Sequence, residues 1–341
     1  MRTVAVATDQ LARRQPGGIG TYVRGLLRGL AGIEGLDVRP FGPRPGTGAH
    51  LRVALATAAW AKVPWEVPRD ADVVHAPSLA GPVGGGRAGA VHSVAVHDLL
   101  WRDVADASTS RGRRFHEARL RRLVEHDEVR VVTTSPRLGD RLVAEGVAAE
   151  RLVPVRLGAD EETVPAPAAQ MRVYLADHGI PGPFTLAVGT REPRKNLERL
   201  ARAHAAALAD HDELGPLVLV GPAGWGAVDT GDARVLGELP RSWVLGLLAV
   251  ATVVAYVPLD EGWGLPPIEA LRAGAPVVAS ATTPSVAANP EAVLVDPLDV
   301  DAIAAGLVAA AARGSAGREA RRASVAALTW HQCAVDPLAG W

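Results

Sequence analysis

Two glutamates and a cluster of cations are the side chains in this sequence best suited to chemistry. Glu261 and Glu269 lie in the stretch from Pro258 to Gly274, Pro-Leu-Asp-Glu-Gly-Trp-Gly-Leu-Pro-Pro-Ile-Glu-Ala-Leu-Arg-Ala-Gly. The apolar run Val253 to Val257 stops at Pro258, Gly262 and Gly264 permit a tight turn, and Pro266 and Pro267 follow Leu265 where a helix can begin. The prolines exclude one continuous helix, so Glu261 belongs to a loop and Glu269 to the first turn of a helix or just past it. At the mouth of parallel strands both carboxylates would face one crevice, beside backbone N–H groups at the helix start. N–H dipoles favour anions and carboxylates accept from hydroxyls, so phosphate plus sugar hydroxyls is the fitting ligand chemistry. The same residues would also serve as a turn cap and an ordinary early-helix acid.

The cations stand in Gly189-Thr-Arg-Glu-Pro-Arg-Lys-Asn196, directly after the apolar run Leu186 to Val188. In a strand-to-helix turn, Arg191, Arg194 and Lys195 would neutralise a diphosphate leaving group, a solvated loop being the plain alternative. A second glycine-bearing turn, Gly221 to Gly226, follows Leu217 to Val220 and is placed to approach a nucleotide. Gly17, Gly18 and Gly20 follow the strand Val4 to Thr8 and precede a helical pattern from Tyr22 to Leu30, without the Gly-x-Gly-x-x-Gly spacing of a dinucleotide loop. His97 falls at the end of Val94 to Val96, where open α/β sheets expose ligand-binding groups. His75 and His92 read as structural.

Positioning these residues takes alternating strands and helices. Short Val-rich runs recur at 72–75, 131–134, 153–155, 277–279 and 292–295, with helical patterns at 111–128 and 300–311 and a last helix at about 318–327. Residues 40–50 read as a surface connection, and 153–155 leads into a loop through Gly158 and Asp160. The Pro/Ala-rich stretch near 164–170 and the break at Gly179 to Pro183 divide the chain into domains 1–178 and 179–325, with a helical tail 326–341 packing back on the first domain.

With 341 residues, 48% hydrophobic content and a net charge of -1, the composition describes a soluble α/β protein rather than a nucleic-acid binder. Lysine occurs only at Lys62 and Lys195, and Cys333 is the single cysteine, which fits a reducing compartment. No apolar run reaches the length of a membrane span, so a cytoplasmic location is expected, with peripheral contact at the inner face of the membrane left open. Asp70/Asp72 and Asp299/Asp301 are too ordinary a spacing to establish a metal site, and none is expected.

Together these pieces resemble the retaining glycosyltransferases of family 4, in particular their mannosyltransferase-like members. The resemblance rests on Glu261-Gly-Trp-Gly-Leu-Pro-Pro-Ile-Glu269, on Ala273 to Ser280, on Gly189 to Asn196 and on Leu294 to Leu298, and extends through Gly17 to Tyr22, Val96 to Asp98 and Thr133 to Pro136. It implies the GT-B architecture, two Rossmann-like domains facing a central cleft, with the acceptor on the first and a GDP- or UDP-linked sugar on the second. Glu269 would accept hydroxyl bonds from the ribose, Glu261 would contact the transferred sugar, and Lys195 and Arg194 would stabilise the departing diphosphate. Gly17 and Gly18 would close over phosphate or sugar, His97 would contact the donor sugar, and Gly189, Gly221, Gly262, Gly264 and Leu265 would line the donor. Relatives often carry arginine directly after the first glycine of the cationic turn; here Thr190 intervenes, which favours Arg194 over Arg191. The implied reaction is front-face transfer with retention and no cofactor or obligatory metal, to a glycan, lipid-linked sugar or small acceptor. An epimerase or phosphorylase of the same fold, or a catalytically weak sugar-binding protein, is the alternative.

Overall fold

The computed structural model describes residues 1–14, 16–60, 63, 66–103, 109–159 and 163–338. Lys62 and Asp160 lie outside them. The chain divides into two compact units, one of Met1–Gly158 with Leu328–Trp341, the other of Ala159–Ala327.

The first unit runs β1 (Arg2–Ala7), α1 (Gly17–Ala31), β2 (Leu36–Phe41), α2 (Ala49–Ala59), β3 (Val73–Ala76), β4 (Val91–Val96), α3 (Leu100–Asp103), α4 (Ser110–Glu125), β5 (Arg130–Thr133), α5 (Pro136–Ala144) and β6 (Leu152–Pro154). Its six strands form a parallel sheet in the order β2-β1-β3-β4-β5-β6. Strands buried on both faces need no polar alternation, which is why Val4–Ala7 and Val94–Val96 read as short apolar runs. β2 was hidden because it is an edge strand carrying Asp37, Arg39 and Pro40; proline is tolerated there since one side makes no ladder bonds. The stretch 40–50, expected as a connection, thus holds the end of β2 and the start of α2. α4 buries Leu120 and Leu123 as its spacing predicts. Ser135 caps α5 by accepting from Leu138 N at 3.2 Å, a contact typically worth about 1 kcal/mol.

The glycine-rich stretch expected as a turn before Tyr22 is instead the first turn of α1, entered through Gly17 at φ +58°. Further along, Gly25 and Gly29 leave a groove. A Cβ at Gly25 would overlap the Trp330 indole, and one at Gly29 would overlap the Trp330 carbonyl oxygen. The twelfth helix, Trp330–Leu338, lies in that groove with Trp330 and Cys333 buried.

The second unit runs α6 (Ala168–Asp177), β7 (Thr185–Val188), α7 (Leu197–Leu208), β8 (Leu217–Val220), β9 (Arg234–Gly237), α8 (Arg241–Val250), β10 (Val253–Tyr256), α9 (Leu265–Ala273), β11 (Val277–Ser280), β12 (Ala292–Val295), α10 (Val300–Ala312) and α11 (Arg318–Ser324), after which Trp330–Leu338 is α12. The boundary expected at residue 178 falls at 158/159. α6 packs on α8 of this unit: Ala166 N donates to Ser242 O at 2.8 Å, and Gly246 leaves room for the buried Met171, whose Cγ would be 2.9 Å from a Cβ there.

The second sheet is also parallel, in the order β12-β11-β10-β7-β8-β9. The chain steps outward from β7 to β9 and then returns to the other side of β7 as β10. Loops leaving β7 and β10 therefore part at a switch point, the place where open α/β sheets leave a ligand crevice. Val253, Ala255 and Val257 join Leu200, Leu219, Ile303 and Leu307 in the core under α7 and α10, which turns Val254 and Tyr256 to the opposite face. α9 is held at its C-terminal end by α11: Arg318 donates to Ala273 O at 3.1 Å, and the buried Arg321 donates through Nε to Gly274 O at 2.9 Å. These cations meet carbonyls that the helix itself cannot satisfy. No described helix is long and apolar enough to cross a membrane.

Candidate functional site

The loop after β7 is laced to the loop after β8. Gly189 N donates to Val220 O at 2.9 Å, Arg191 N to Pro222 O at 3.1 Å, and Gly224 N to Arg191 O at 3.1 Å. Gly221 has φ +143°, and a Cβ there would lie far inside contact distance of the Gly189 carbonyl oxygen. Glycine at this position serves the close approach of two backbones. Arg191 Nη1 donates to Gly221 O at 3.3 Å, so this cation is tied to its own scaffold. The single turn Pro193–Lys195 ends at Asn196, whose side-chain amide donates to Val257 O at 2.9 Å and to Pro297 O at 2.7 Å. Leu259 N donates to Arg194 O at 3.0 Å. Four backbone segments are thus locked around Arg194 and Lys195.

Into that frame projects Glu261. Its Oε1 accepts from Arg194 Nη1 at 2.6 Å and from Lys195 Nζ, while Arg194 Nη2 also pairs with Glu192 at 2.6 Å. Lys195 Nζ donates to the Tyr256 hydroxyl at 3.0 Å. Burial pushes the Glu261 carboxyl up, but Lys195 and Arg194 outweigh it and hold the group below the usual carboxylate range. Burial pulls the Lys195 ammonium down, and Glu261 offsets this only in part. Two cations in a half-closed pocket, one of them costly to keep charged, would gain from a further anion. The cavity against Gly189, Thr190, Lys195 and Tyr256 measures about 20 Å³, too small for a hexose, so a sugar would have to lie outside it.

Glu269 reaches the same end of the sheet from α9. Gly264 starts that helix at φ +93°, where a Cβ would be 2.5 Å from Thr283 Cγ2, and Ser285 clamps the turn by donating through Oγ to Gly264 O at 2.6 Å. No side chain caps α9. Pro266 and Pro267 carry no N–H, so the helix start offers fewer donors than the sequence suggests: those of Gly264 and Leu265. Glu269 is past the first turn and only 7% exposed, and Arg241 grips it with Nη2 on Oε1 at 2.7 Å and Nη1 on Oε2 at 3.1 Å. Burial raises the Tyr256 phenol well above its ordinary value, and Glu261 and, more weakly, Glu269 add to this.

The remaining candidates belong to the first unit. Gly17 and Gly18 open α1, which has no side-chain cap. His97 directly follows β4, half-buried, with its ring edge on Tyr22 at 4.9 Å between centroids. Burial lowers its pKa, and Nε2 lies 2.8 Å from Pro77 O, so the neutral ring donates there and carries its lone pair on Nδ1. His75 is structural: fully buried, it meets the Tyr22 hydroxyl at 3.0 Å and Ser93 Oγ at 2.6 Å. His92 bonds Gly85 O at 2.9 Å. Asp72 accepts from Thr3 N at 2.7 Å, Asp70 pairs with Arg39 at 2.6 Å, and Asp299 caps α10. Among the described residues no group of three His, Cys, Asp or Glu side chains is placed to hold a metal ion.

The structure therefore gathers Arg194, Lys195 and Glu261 into one contact and sets Glu269 at the same sheet end. Sequence reasoning missed Tyr256, Asn196, Glu192 and Arg241. Glu192 and Asn196 carried a signal, as members of the cationic motif Gly189 to Asn196.

Residues 182–313 match the family model described as glycosyl transferases group 1. The chain is 32% identical over 170 residues to the O-antigen chain mannosyltransferase B of Escherichia coli, an alignment covering 46% of this chain and 44% of that protein. It thus spans less than half the length of that curated relative. Among solved structures, the sucrose-phosphate synthase of Thermosynechococcus elongatus superposes with a TM-score of 0.72 at 20% identity, covering 98% of this chain and 97% of that one. HepE of Anabaena, solved in complex with UDP-glucose, superposes with a TM-score of 0.71 at 14% identity over 100% of both chains. Two Rossmann-like units with parallel sheets, shared with these structures, make this a GT-B fold.

Proposed function

We propose that this chain is a retaining hexosyltransferase of the family 4 type, drawing its sugar, mannose foremost, from a GDP- or UDP-linked donor and passing it to a glycan or lipid-linked acceptor. The observation that carries the reading is the convergence of Arg194 and Lys195 on Glu261 at the switch point of the second sheet. The match of residues 182–313 and the likeness to an O-antigen mannosyltransferase support it.

In this reading the donor diphosphate takes over the cations that Glu261 holds in its absence. As the bond from the anomeric carbon to the phosphate oxygen opens, negative charge grows on the leaving phosphate, and Lys195 and Arg194 stabilise it more than they stabilise the ground state. Glu261, released from one or both cations, accepts hydroxyl bonds from the transferred sugar, and Glu269 accepts those of the ribose. The acceptor hydroxyl attacks from the face the phosphate leaves, its proton passing to the departing phosphate oxygen. Glu261 is not a nucleophile in this scheme.

Mass spectrometry of products from a panel of GDP- and UDP-linked hexoses with candidate acceptors tests the reading. Lys195→Ala should lower kcat by about a hundred-fold or more, and Glu269→Ala should chiefly raise the donor KM. Unchanged product formation by both variants would contradict the assignment.

A further inference from the structure

We infer that Arg241 is a positioning residue that sets how strictly the donor's ribose is read, acting through Glu269. The inference rests on Glu269 as the ribose acceptor and adds the group that orients it. Arg241 is the first residue of α8, and Glu269 lies on α9, 28 positions later in the chain. A carboxylate only 7% exposed is costly to keep charged without a cation, and Arg241 supplies one at 2.7 and 3.1 Å.

The geometry matters beyond the charge. Two parallel bonds from one planar guanidinium fix the plane of the carboxylate as well as its position. Each carboxylate oxygen has two lone pairs. Arg241 engages the lone pair of each oxygen on their shared side, which leaves one on each, turned to opposite edges of the carboxylate, so that a ribose hydroxyl meets a single, fixed oxygen. A lysine would supply charge without fixing that plane. The side chain of Arg241 is 35% exposed, so it orients the buried acid from the solvent side.

Calorimetry on the intact chain tests this. UDP, GDP and ADP are titrated, and the tightest is compared with its 2′,3′-dideoxy counterpart in wild type, Arg241→Met, Arg241→Lys and Glu269→Ala. Wild type should prefer the ribonucleotide by about ten-fold or more, the scale of a hydrogen bond to a charged group. Arg241→Met should weaken the ribonucleotide by about ten-fold while leaving the dideoxy form unchanged, and Arg241→Lys should keep part of the preference. Equal weakening of both nucleotides by Arg241→Met, or no weakening of either, would overturn the inference. A wild-type ribose preference that survives Glu269→Ala would instead overturn the assignment of Glu269, as would the absence of saturable binding by all three nucleotides, and the inference would fall with it.

Discussion

His75 gives a prediction whose size follows from its surroundings. It is fully buried between the Tyr22 hydroxyl and Ser93 Oγ, and burial, with His97 nearby as a lesser cause, lowers its pKa from 6.5 to about 3. The native state therefore stays neutral at this ring while the unfolded chain takes up a proton below about pH 6.5. Because the unfolded state binds more protons, stability rises with pH here and is lost as pH falls from about 6.5 toward about 3. The loss should approach about 1.4 kcal/mol per pH unit, or about 5 kcal/mol over the whole interval. His75→Gln removes that titration and keeps a polar group beside Tyr22 and Ser93, at a cost of about 1–2 kcal/mol at neutral pH. Hydrogen exchange of the β1, β3 and β4 amides, followed between about pH 7.5 and pH 4.5, reports opening of this unit separately from the other. The wild-type curve should fall toward that of the variant as pH drops and pass below it by about pH 4.5. Curves that remain parallel would refute the assignment of a buried neutral histidine.

Gly221→Ala should destabilise the second unit by about 3 kcal/mol or more, since it combines strain at positive φ with overlap on the Gly189 carbonyl, and should weaken donor binding in parallel; urea unfolding and nucleotide titration check this. Gly25→Val should expel Trp330 from its groove, and faster proteolysis after residue 327 together with a red-shifted tryptophan emission would show it. Trp330→Ala should leave a void costing about 3–5 kcal/mol, and equal stability of this variant and wild type would contradict the docking of α12.

The strand-loop-helix units were legible because parallel strands buried on both faces appear as short Val runs and because glycine and proline mark their ends. Pro258, Gly264 and Gly274 bracketed the Glu261 loop and α9 closely. Edge strand β2 and helix α6 were not legible, the first for its polar residues, the second because its reason to exist is the space at Gly246, which no local pattern announces. Residues of the candidate site divide in the same way. Arg194, Lys195 and Glu261 belong to motifs, whereas Arg241 meets Glu269 only because α8 and α9 pack side by side, and Tyr256 reads as one more strand residue until its hydroxyl is seen beside Lys195. The loss of two N–H donors at α9 was written in Pro266 and Pro267 themselves.

Everything proposed for this molecule depends on where a nucleotide's phosphates come to rest. A crystal structure with a bound nucleoside diphosphate should show its terminal phosphate hydrogen-bonded to Lys195 and Arg194, with Glu261 turned from at least one of them and the ribose hydroxyls on Glu269. Phosphates bound elsewhere, with the Arg194–Glu261–Lys195 contact undisturbed, would contradict the account.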